Sequence, residues 1–213
     1  MNADTPQTLL YSTDRGTVTI RSFVSPEEIH GLSFGMGTRD FARYRPLITG
    51  KEGLVQAAGA GKTNVTLAIT QDGVIVGAGI LEPPRPGERW GRLEEPPVME
   101  VSTIEVCRPW RGCRMARPIL RLLVDHPCRE KRILYMVGYS WTWDPAWNGL
   151  ATMAYRDMLI RLFAGQGFHL FQTNDPNVML RPENIFMARI GAEVSDASRK
   201  RFQRIRFGLN PAE

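Results

Sequence analysis

The sequence predicts a mixed fold of strands and helices, α/β or α+β, in a single domain that extends over residues 1–213. In the first half, runs of β-branched residues are separated by turn residues, which is typical of antiparallel strands. In the second half, apolar runs alternate with segments of helical periodicity, and neither a repeat nor a linker divides the chain. A content of 43% hydrophobic and 23% charged residues fits one globular domain of about 150 to 250 residues.

The first half of the chain is predicted to be rich in strands. Residues 17–23 alternate apolar and polar side chains as a half-buried strand does, and Ser25 with Pro26 then begins a helix. A hairpin is predicted because Asp72 and Gly73 stand between two β-branched runs. The other elements expected here are helical turns at residues 40–44 and 52–58, hairpin strands at 64–70 and 74–81, and a third antiparallel strand at 98–106.

The second half is predicted to alternate helices with strands. After Arg114 the apolar positions recur at helical spacing, so Pro118 requires that this helix begins close to Arg114 or is kinked. A short helix is predicted to begin at Pro182 and to end at Gly191, because proline is favoured at the first helical position and glycine just after the last. The other elements expected here are strands at 133–139 and 168–173, a helix at 150–164, and a strand, a helix or both at 192–208.

Charge and cysteine content disfavour several classes of function. Arginine clusters near residues 108–121 and 199–206, and Lys+Arg 27 against Asp+Glu 22 gives a net charge of +5. No nucleic-acid-binding signature accompanies these clusters, so a solvated basic face explains them and no nucleic-acid partner is expected. Cys107, Cys113 and Cys128 form no C-x-x-C pair, which predicts reduced thiols and no metal site.

The absence of certain segments also bears on location. No apolar run approaches the roughly 20 residues needed to span a bilayer, so no membrane partner is expected. The amino terminus lacks the basic segment and apolar run of a secretory signal, which predicts a cytoplasmic protein.

Two segments invite a phosphate-binding interpretation. Residues 59–63 end like a phosphate loop, but Gln56 stands where its first glycine belongs and the segment precedes a strand. The second segment ends a strand and begins a helix, where Gly112 and Ala116 would let an anion approach free backbone N–H groups. Arg111 and Arg114 add positive charge there. A helix start that carries arginines without a special purpose remains an alternative.

This second segment resembles the GNAT superfamily of acyl-CoA-dependent N-acetyltransferases. Their strand ends in Val-x-Pro or a similar sequence and leads into R/Q-x-x-G-x-G/A at a helix start, and Val106, Arg111, Gly112 and Ala116 match, whereas Arg114 replaces the middle glycine. The resemblance implies acetyl-CoA as acyl donor and a GNAT-like mixed, mainly antiparallel central sheet flanked by helices. It implies that the donor's pantetheine arm and pyrophosphate contact Ile104, Val106, Arg111, Gly112, Cys113, Arg114, Met115 and Ala116.

The same resemblance implies a base and an acid. Glu100 lies six residues before Val106, where several lysine acetyltransferases of the superfamily hold the glutamate that deprotonates the amine. Glu105 is the competitor, and its odd separation from Glu100 puts the two on opposite faces of an unbroken strand. Phe163 occupies the place of the superfamily's late tyrosine acid, so Tyr155, about two turns earlier, is the nearest substitute.

A narrower resemblance, to the acetoin-utilisation protein acetyltransferases, covers about residues 100–207. It is carried by residues 139–144, 155–156, 173–176, 182–191 and 202–207. These proteins are understood to acetylate a lysine of AMP-forming acetyl-CoA synthetase, which implies that the partner here is a folded protein, acetyl-CoA synthetase. Residues 184–191 also resemble the superfamily's last helix, and Trp141 with Trp143 would share one face at a strand end and form an aromatic wall.

Two other functions stay open. One is an enzyme of the same fold that acetylates a small-molecule amine. The other is a non-catalytic partner that binds acetyl-CoA without turnover. This alternative stays open because Arg114 and Phe163 depart from the superfamily pattern.

Overall fold

The computed structural model describes residues 5–35, 47–93, 97–147 and 149–210. Its strands are β1 (Thr8–Thr13), β2 (Gly16–Arg21), β3 (Ser33–Phe34), β4 (Asn64–Thr70), β5 (Val74–Glu82), β6 (Val98–Val106), β7 (Ile133–Gly138), β8 (His169–Leu170) and β9 (Ile185–Ile190). Its α-helices are α1 (Pro26–His30), α2 (Lys51–Gly59), α3 (Ala116–Val124), α4 (Thr152–Ala164), α5 (Pro176–Met179) and α6 (Asp196–Arg206). No described helix is both long and apolar enough to cross a membrane.

The chain forms two compact units. The first contains Met1–Glu82 and Ser102–His126, and the second contains Pro83–Val101 and Pro127–Glu213. Strand β6 contributes to both, because its first four residues belong to the second unit and its last five to the first.

The first unit is an antiparallel sheet with α3 packed on it. Strands β1, β2, β4 and β5 pair in that order, and β3 adds parallel to β5. The predicted hairpin of β4 and β5 is confirmed, with Gly73 in the left-handed conformation (φ 77°) that its turn requires. Pro118 is the third residue of α3, inside the first turn, so the helix needs no kink. Ile119 and Leu122 of α3 are buried in the same core as the sheet.

The second unit places an aromatic core beside its own ladder of strands. The first residues of β6 run parallel to β7, β7 pairs antiparallel with β9, and β8 pairs antiparallel with β9. Trp90, Tyr135, Phe186 and Phe202 form the centre of the core, and the rings of Trp90 and Phe186 stack at 4.4 Å. Both units therefore have mainly antiparallel strands with helices against them, which confirms the predicted fold class.

The helix predicted between Pro182 and Gly191 is wrong, because this segment is strand β9. All six of its residues pair with β7, and Phe186, Met187 and Ala188 are buried. Proline and glycine lie just outside the ladder, so the same two residues that suggested helix ends also fit strand ends. Gly191 has a different role, since a Cβ there would lie 2.2 Å from the carbonyl oxygen of Glu130.

Smaller differences occur elsewhere. The strand predicted at 168–173 is limited to His169–Leu170, and β1 and α5 were not predicted. The open segment at 192–208 forms helix α6. The helical turns expected at residues 40–44 lie outside the described residues.

Candidate functional site

The loop between β6 and α3 has the backbone shape of an anion cradle. Gly112 (φ 86°) and Arg114 (φ 58°) both adopt the left-handed conformation, which favours glycine. Arg114 thus has a backbone conformation that favours glycine, and its side chain is exposed.

Backbone donors line this loop at the start of α3. Within the described part of the chain, the backbone N–H groups of five successive residues donate to no acceptor: Gly112, Cys113, Arg114, Met115 and Ala116. Free N–H groups at a helix start and the positive end of the helix dipole favour a negatively charged ligand. Met115 itself is buried in the core, which fixes the beginning of the helix.

Arg111 ties the loop to the end of β6. Its Nε donates a hydrogen bond of 2.8 Å to the carbonyl oxygen of Val106. An arginine side chain carries positive charge and five N–H donors. Ile104 and Val106 are half-buried on the same face of β6.

The N-terminal hairpin holds the other side of the loop. The hydroxyl of Tyr11 in β1 donates to the carbonyl oxygen of Cys113 at 3.0 Å, and the Cys113 thiol donates to Asp14 at 3.1 Å. Burial and the neighbouring Asp14 raise the pKa of Cys113. The thiol therefore stays protonated and acts as an anchor of the loop.

The two candidate glutamates of β6 lie on opposite faces, as the parity of the strand predicts. Glu100 is half-buried together with Ile104, whereas Glu105 is buried with 7% of its surface exposed. The Oε2 of Glu105 accepts the backbone N–H of Ile48 at 3.2 Å, within the first unit. Glu105 thus serves a structural contact, and Glu100 is the more accessible carboxylate.

Glu100 belongs to a hydrogen-bonded group in the second unit that the sequence did not reveal. The hydroxyl of Tyr135 in β7 lies 3.2 Å from Oε2 of Glu100 and 3.3 Å from Oε2 of Glu88. Glu100 and Tyr135 are directly paired in the β6–β7 ladder, which explains their proximity. Glu88 comes from the proline-rich loop after β5, and no sequence pattern linked it to Glu100.

Tyr139 lies close to the same carboxylates. Burial, followed by the charges of Asp175, Glu100 and Glu88, raises the pKa of Tyr139 to about 12. Its ring stacks on Trp141 at 4.7 Å, and Trp141 is 47% exposed. An aromatic surface thus adjoins the acidic group.

Tyr155 and the two tryptophans differ from expectation in their surroundings. The ring of Tyr155 in α4 stacks on Trp143 at 5.4 Å, whereas the phenol bonded to Glu100 is that of Tyr135. Trp141 lies in a short 3₁₀ turn and stacks on a different partner from Trp143, so the expected strand end with both rings on one face is wrong.

Known proteins match the chain over most of its length. No family model matches. The acetoin utilization protein AcuA of Bacillus licheniformis is 32% identical over 195 residues, covering 92% of this chain and 91% of that protein. The crystal structure of an acetoin utilization protein from Exiguobacterium sibiricum superimposes with a TM-score of 0.87 at 26% identity, covering 98% of this chain and 97% of that one. A GNAT superfamily phosphinothricin acetyltransferase from Sinorhizobium meliloti, solved with AcCoA, has a TM-score of 0.50 at 16% identity over 84% of this chain and 90% of that one, a likeness of fold.

Proposed function

Because this chain belongs to the AcuA family of acetoin utilization proteins and has the fold of GNAT acetyltransferases, we propose that it transfers the acetyl group of acetyl-CoA to a lysine of a folded protein. AMP-forming acetyl-CoA synthetase is the acceptor that we propose. Glu100 is the base, and the loop from Arg111 to Ala116 binds the donor's phosphates.

The observation that carries this proposal is the position of Glu100. Its side chain is half-buried in β6, and the Tyr135 hydroxyl contacts its carboxylate at 3.2 Å. A lysine ammonium must lose a proton before its nitrogen can attack a thioester, so a base is chemically required, and the carboxylate of Glu100 can serve as one. Glu105 fits this role less well, because it is buried and accepts a backbone N–H.

The loop supports binding of the acyl donor. The uncommitted N–H groups from Gly112 to Ala116 and the guanidinium of Arg111 offer hydrogen bonds and positive charge to a pyrophosphate. In the reaction the neutral amine nitrogen attacks the thioester carbonyl carbon. The C–N bond forms, the C–S bond breaks, and the thiolate of CoA leaves with the electron pair.

The surface near Glu100 favours a large acceptor. Tyr139 and Trp141 form a stacked pair, Trp141 is 47% exposed, and Arg181 lies over its ring at 5.7 Å. Exposed tryptophan and tyrosine side chains are enriched where proteins bind other proteins. This arrangement suits an acceptor that covers a surface.

A small-molecule amine is the second candidate acceptor. The carboxylates of Glu88, Glu100 and Asp175 all act on Tyr139, so they lie near one another. Such a concentration of negative charge would also attract a small cationic amine.

The first experiment is acetyl transfer from labelled acetyl-CoA to purified acetyl-CoA synthetase, with a panel of small amines in parallel. We expect label on a synthetase lysine and loss of synthetase activity. Label on a small amine alone would replace the proposed acceptor, and acetyl-CoA binding without any transfer would identify a non-catalytic partner.

Variants of three glutamates assign the base. We expect Glu100→Gln to lower kcat by about 10²- to 10⁴-fold with unchanged acetyl-CoA affinity. Glu193→Gln, at an exposed residue whose carboxylate forms a surface ion pair with Lys131, is the matched control and should retain activity. If Glu105→Gln lost turnover while Glu100→Gln kept it, the assignment of the base would be reversed.

A further inference from the structure

An open cavity in the second unit, called here the α6 cavity, lies between one face of α6 and the ends of β8 and β9. Its volume is about 310 Å³, and its walls include Phe171 directly after β8 and Ile190 at the end of β9. In the described part of the chain, all of its lining residues belong to the second unit, and neither Glu100 nor the loop at residues 111–116 is among them. Ligand sites in proteins commonly have volumes of about 300 to 1,000 Å³, so a small ligand fits.

The wall that α6 contributes to this cavity is positively charged. Three cations and one carboxylate of the helix line it: Asp196, Arg199, Lys200 and Arg206. Asp196 is the first residue of α6 and Arg206 is the last, so the two lie about 15 Å apart along the helix axis. Among the residues that the structure describes, no carboxylate forms an ion pair with Lys200 or Arg206. The positive charge of this wall therefore lacks a partner of opposite sign.

Arg206 is held against a phenylalanine ring that also lines the cavity. Its guanidinium carbon lies 4.5 Å from the centre of the Phe171 ring, and its Nη1 donates to the carbonyl oxygen of Gln172 at 3.1 Å. Its Nε and Nη2 have no acceptor within the described ranges. Burial lowers the pKa of Arg206, yet an arginine stays charged at neutral pH. A partly buried cation without a carboxylate partner favours an anionic ligand.

The other polar groups of the cavity are one fixed cation and two free donors. Arg199 is fixed, because its Nε donates to the carbonyl oxygen of Val194 at 3.0 Å and its Nη2 to that of Gly191 at 2.8 Å. Lys200 and Gln203 are exposed, and their side chains bond to no other described residue. An ammonium group and a side-chain amide therefore remain available to a ligand.

The cavity also has an apolar wall. Phe171, Ile190 and Phe202 contribute to it, and Phe202 belongs to the aromatic core with 1% of its surface exposed. Planar rings pack favourably on phenylalanine and on the plane of a guanidinium. A bare inorganic anion would leave this wall uncovered, whereas an anion that carries a planar ring would contact both the cations and the apolar wall.

We propose that the α6 cavity binds a small organic anion, in which a phosphate or a carboxylate is attached to a planar apolar ring. The anionic group lies between Lys200 and Arg206, away from Asp196, and the ring lies against Phe171. No residue assigned to acetyl transfer takes part, so the inference does not rest on the proposed function. The experiments below measure binding alone and remain decisive whether or not the protein transfers acetyl groups.

Calorimetric titration with four simple compounds tests the chemistry of the ligand. Phenyl phosphate and benzoate have both a charge and a ring, inorganic phosphate has only the charge, and phenol has only the ring. We expect phenyl phosphate or benzoate to bind with a Kd of about 1 mM or lower, and about tenfold more tightly than inorganic phosphate or phenol. The tighter of the two identifies the anionic group. If neither bound, or if inorganic phosphate bound equally well, the inference would be overturned.

Two neighbouring cations of α6 provide a matched pair of variants. Lys200 lines the cavity and Arg201 does not, and both are exposed. Lys200→Gln should weaken binding of the tighter compound by about three- to tenfold, because a charged donor is lost, whereas Arg201→Gln should change it by less than about twofold. Equal weakening in the two variants would indicate general attraction to a basic helix and would refute a defined site.

Three further variants locate the bound compound. Arg206→Gln should weaken binding by about tenfold, and urea unfolding verifies that this variant folds. Phe171→Leu keeps an apolar side chain but removes the ring, so the preference for the ring-bearing anion over inorganic phosphate should fall by about two- to fivefold. Arg111→Ala changes the loop before α3 and should leave binding unchanged. Loss of binding in Arg111→Ala, or full binding in both Arg206→Gln and Phe171→Leu, would place the compound elsewhere and overturn the inference.

Discussion

Replacing Arg114 by glycine tests separately the backbone and the charge of the loop at residues 111–116, which we propose binds the phosphates of the acyl donor. Arg114 has φ 58°, and the left-handed conformation costs a residue with a side chain roughly 1–2 kcal/mol. Glycine avoids this cost, but it adds about 0.5–1 kcal/mol of unfolded-state entropy. The net expectation is stabilisation by about 0.5–1 kcal/mol, or a rise in Tm of about 1–4 °C. Loss of the guanidinium should at the same time weaken acetyl-CoA binding by about tenfold.

Lys62 supplies a matched control for this experiment. It is exposed, it has φ 57°, and it lies between α2 and β4, outside the loop. Lys62→Gly should therefore raise Tm to a similar extent and leave the acetyl-CoA Kd unchanged. Thermal melting and calorimetric titration measure the two effects. If Arg114→Gly lowered Tm while Lys62→Gly raised it, backbone strain would not be the dominant cost at Arg114.

Three further changes test the loop, the strand ends and the buried thiol. Arg111→Ala should weaken acetyl-CoA binding by about 10- to 100-fold, because a charged donor is lost; equal affinity in calorimetric titration would remove Arg111 from the phosphate site. Gly191→Ala places a Cβ 2.2 Å from the carbonyl oxygen of Glu130 and should lower the free energy of unfolding in urea by about 3 kcal/mol. Gly53→Ala, with open space around the residue in α2, should raise it by about 0.5–1 kcal/mol. Burial raises the pKa of Cys107 from 9.0 to about 11, so the contribution of this thiol to stability is complete below pH 9 and is lost as pH rises towards 11. Cys107→Ala should therefore lose less unfolding free energy than the parent over that interval. An equal loss in the variant and the parent would contradict the raised pKa of Cys107.

The sequence predicted correctly those elements whose bounds depend on residues within the element or next to it. The hairpin of β4 and β5 was predictable because Asp72 and Gly73 supply the turn between two β-branched runs. Strand β6 was predicted with the bounds that the structure shows, Val98–Val106, and its alternating burial follows from its period of two. Pro118 limited α3 to a start close to Arg114 or a kink, and the structure shows the first of these, a start at Ala116.

Strand β9 shows where local signals fail. Proline before a segment and glycine after it limit a helix and a strand alike, so the boundary residues did not distinguish the two. What decides is pairing with β7, whose residues lie about 50 positions earlier in the chain, and the burial of both faces of Phe186 and its neighbours. Tertiary packing of this kind overrides propensity and is not visible in one sequence.

The sequence predicted one part of the candidate site and missed another. The loop from Arg111 to Ala116 and the carboxylate of Glu100 stand in one continuous segment, so a motif could identify them. Glu88 and Tyr135 join Glu100 from two other segments, and only the fold brings their side chains within hydrogen-bonding distance. No spacing in the sequence encodes a contact of this type.

The contacts of Tyr11 and Asp14 with Cys113 have a practical consequence for work with this protein. Both residues lie about 100 positions before the loop that they hold, in a segment that a deletion series would remove first. A shortened protein that begins at β2 (Gly16) would lose two anchors of the loop before α3 while the buried centre of β4, β5 and α3 remained. We expect such a deletion to weaken binding of the acyl donor. The deleted residues would then be mistaken for a ligand-binding segment, although their role is to support the loop.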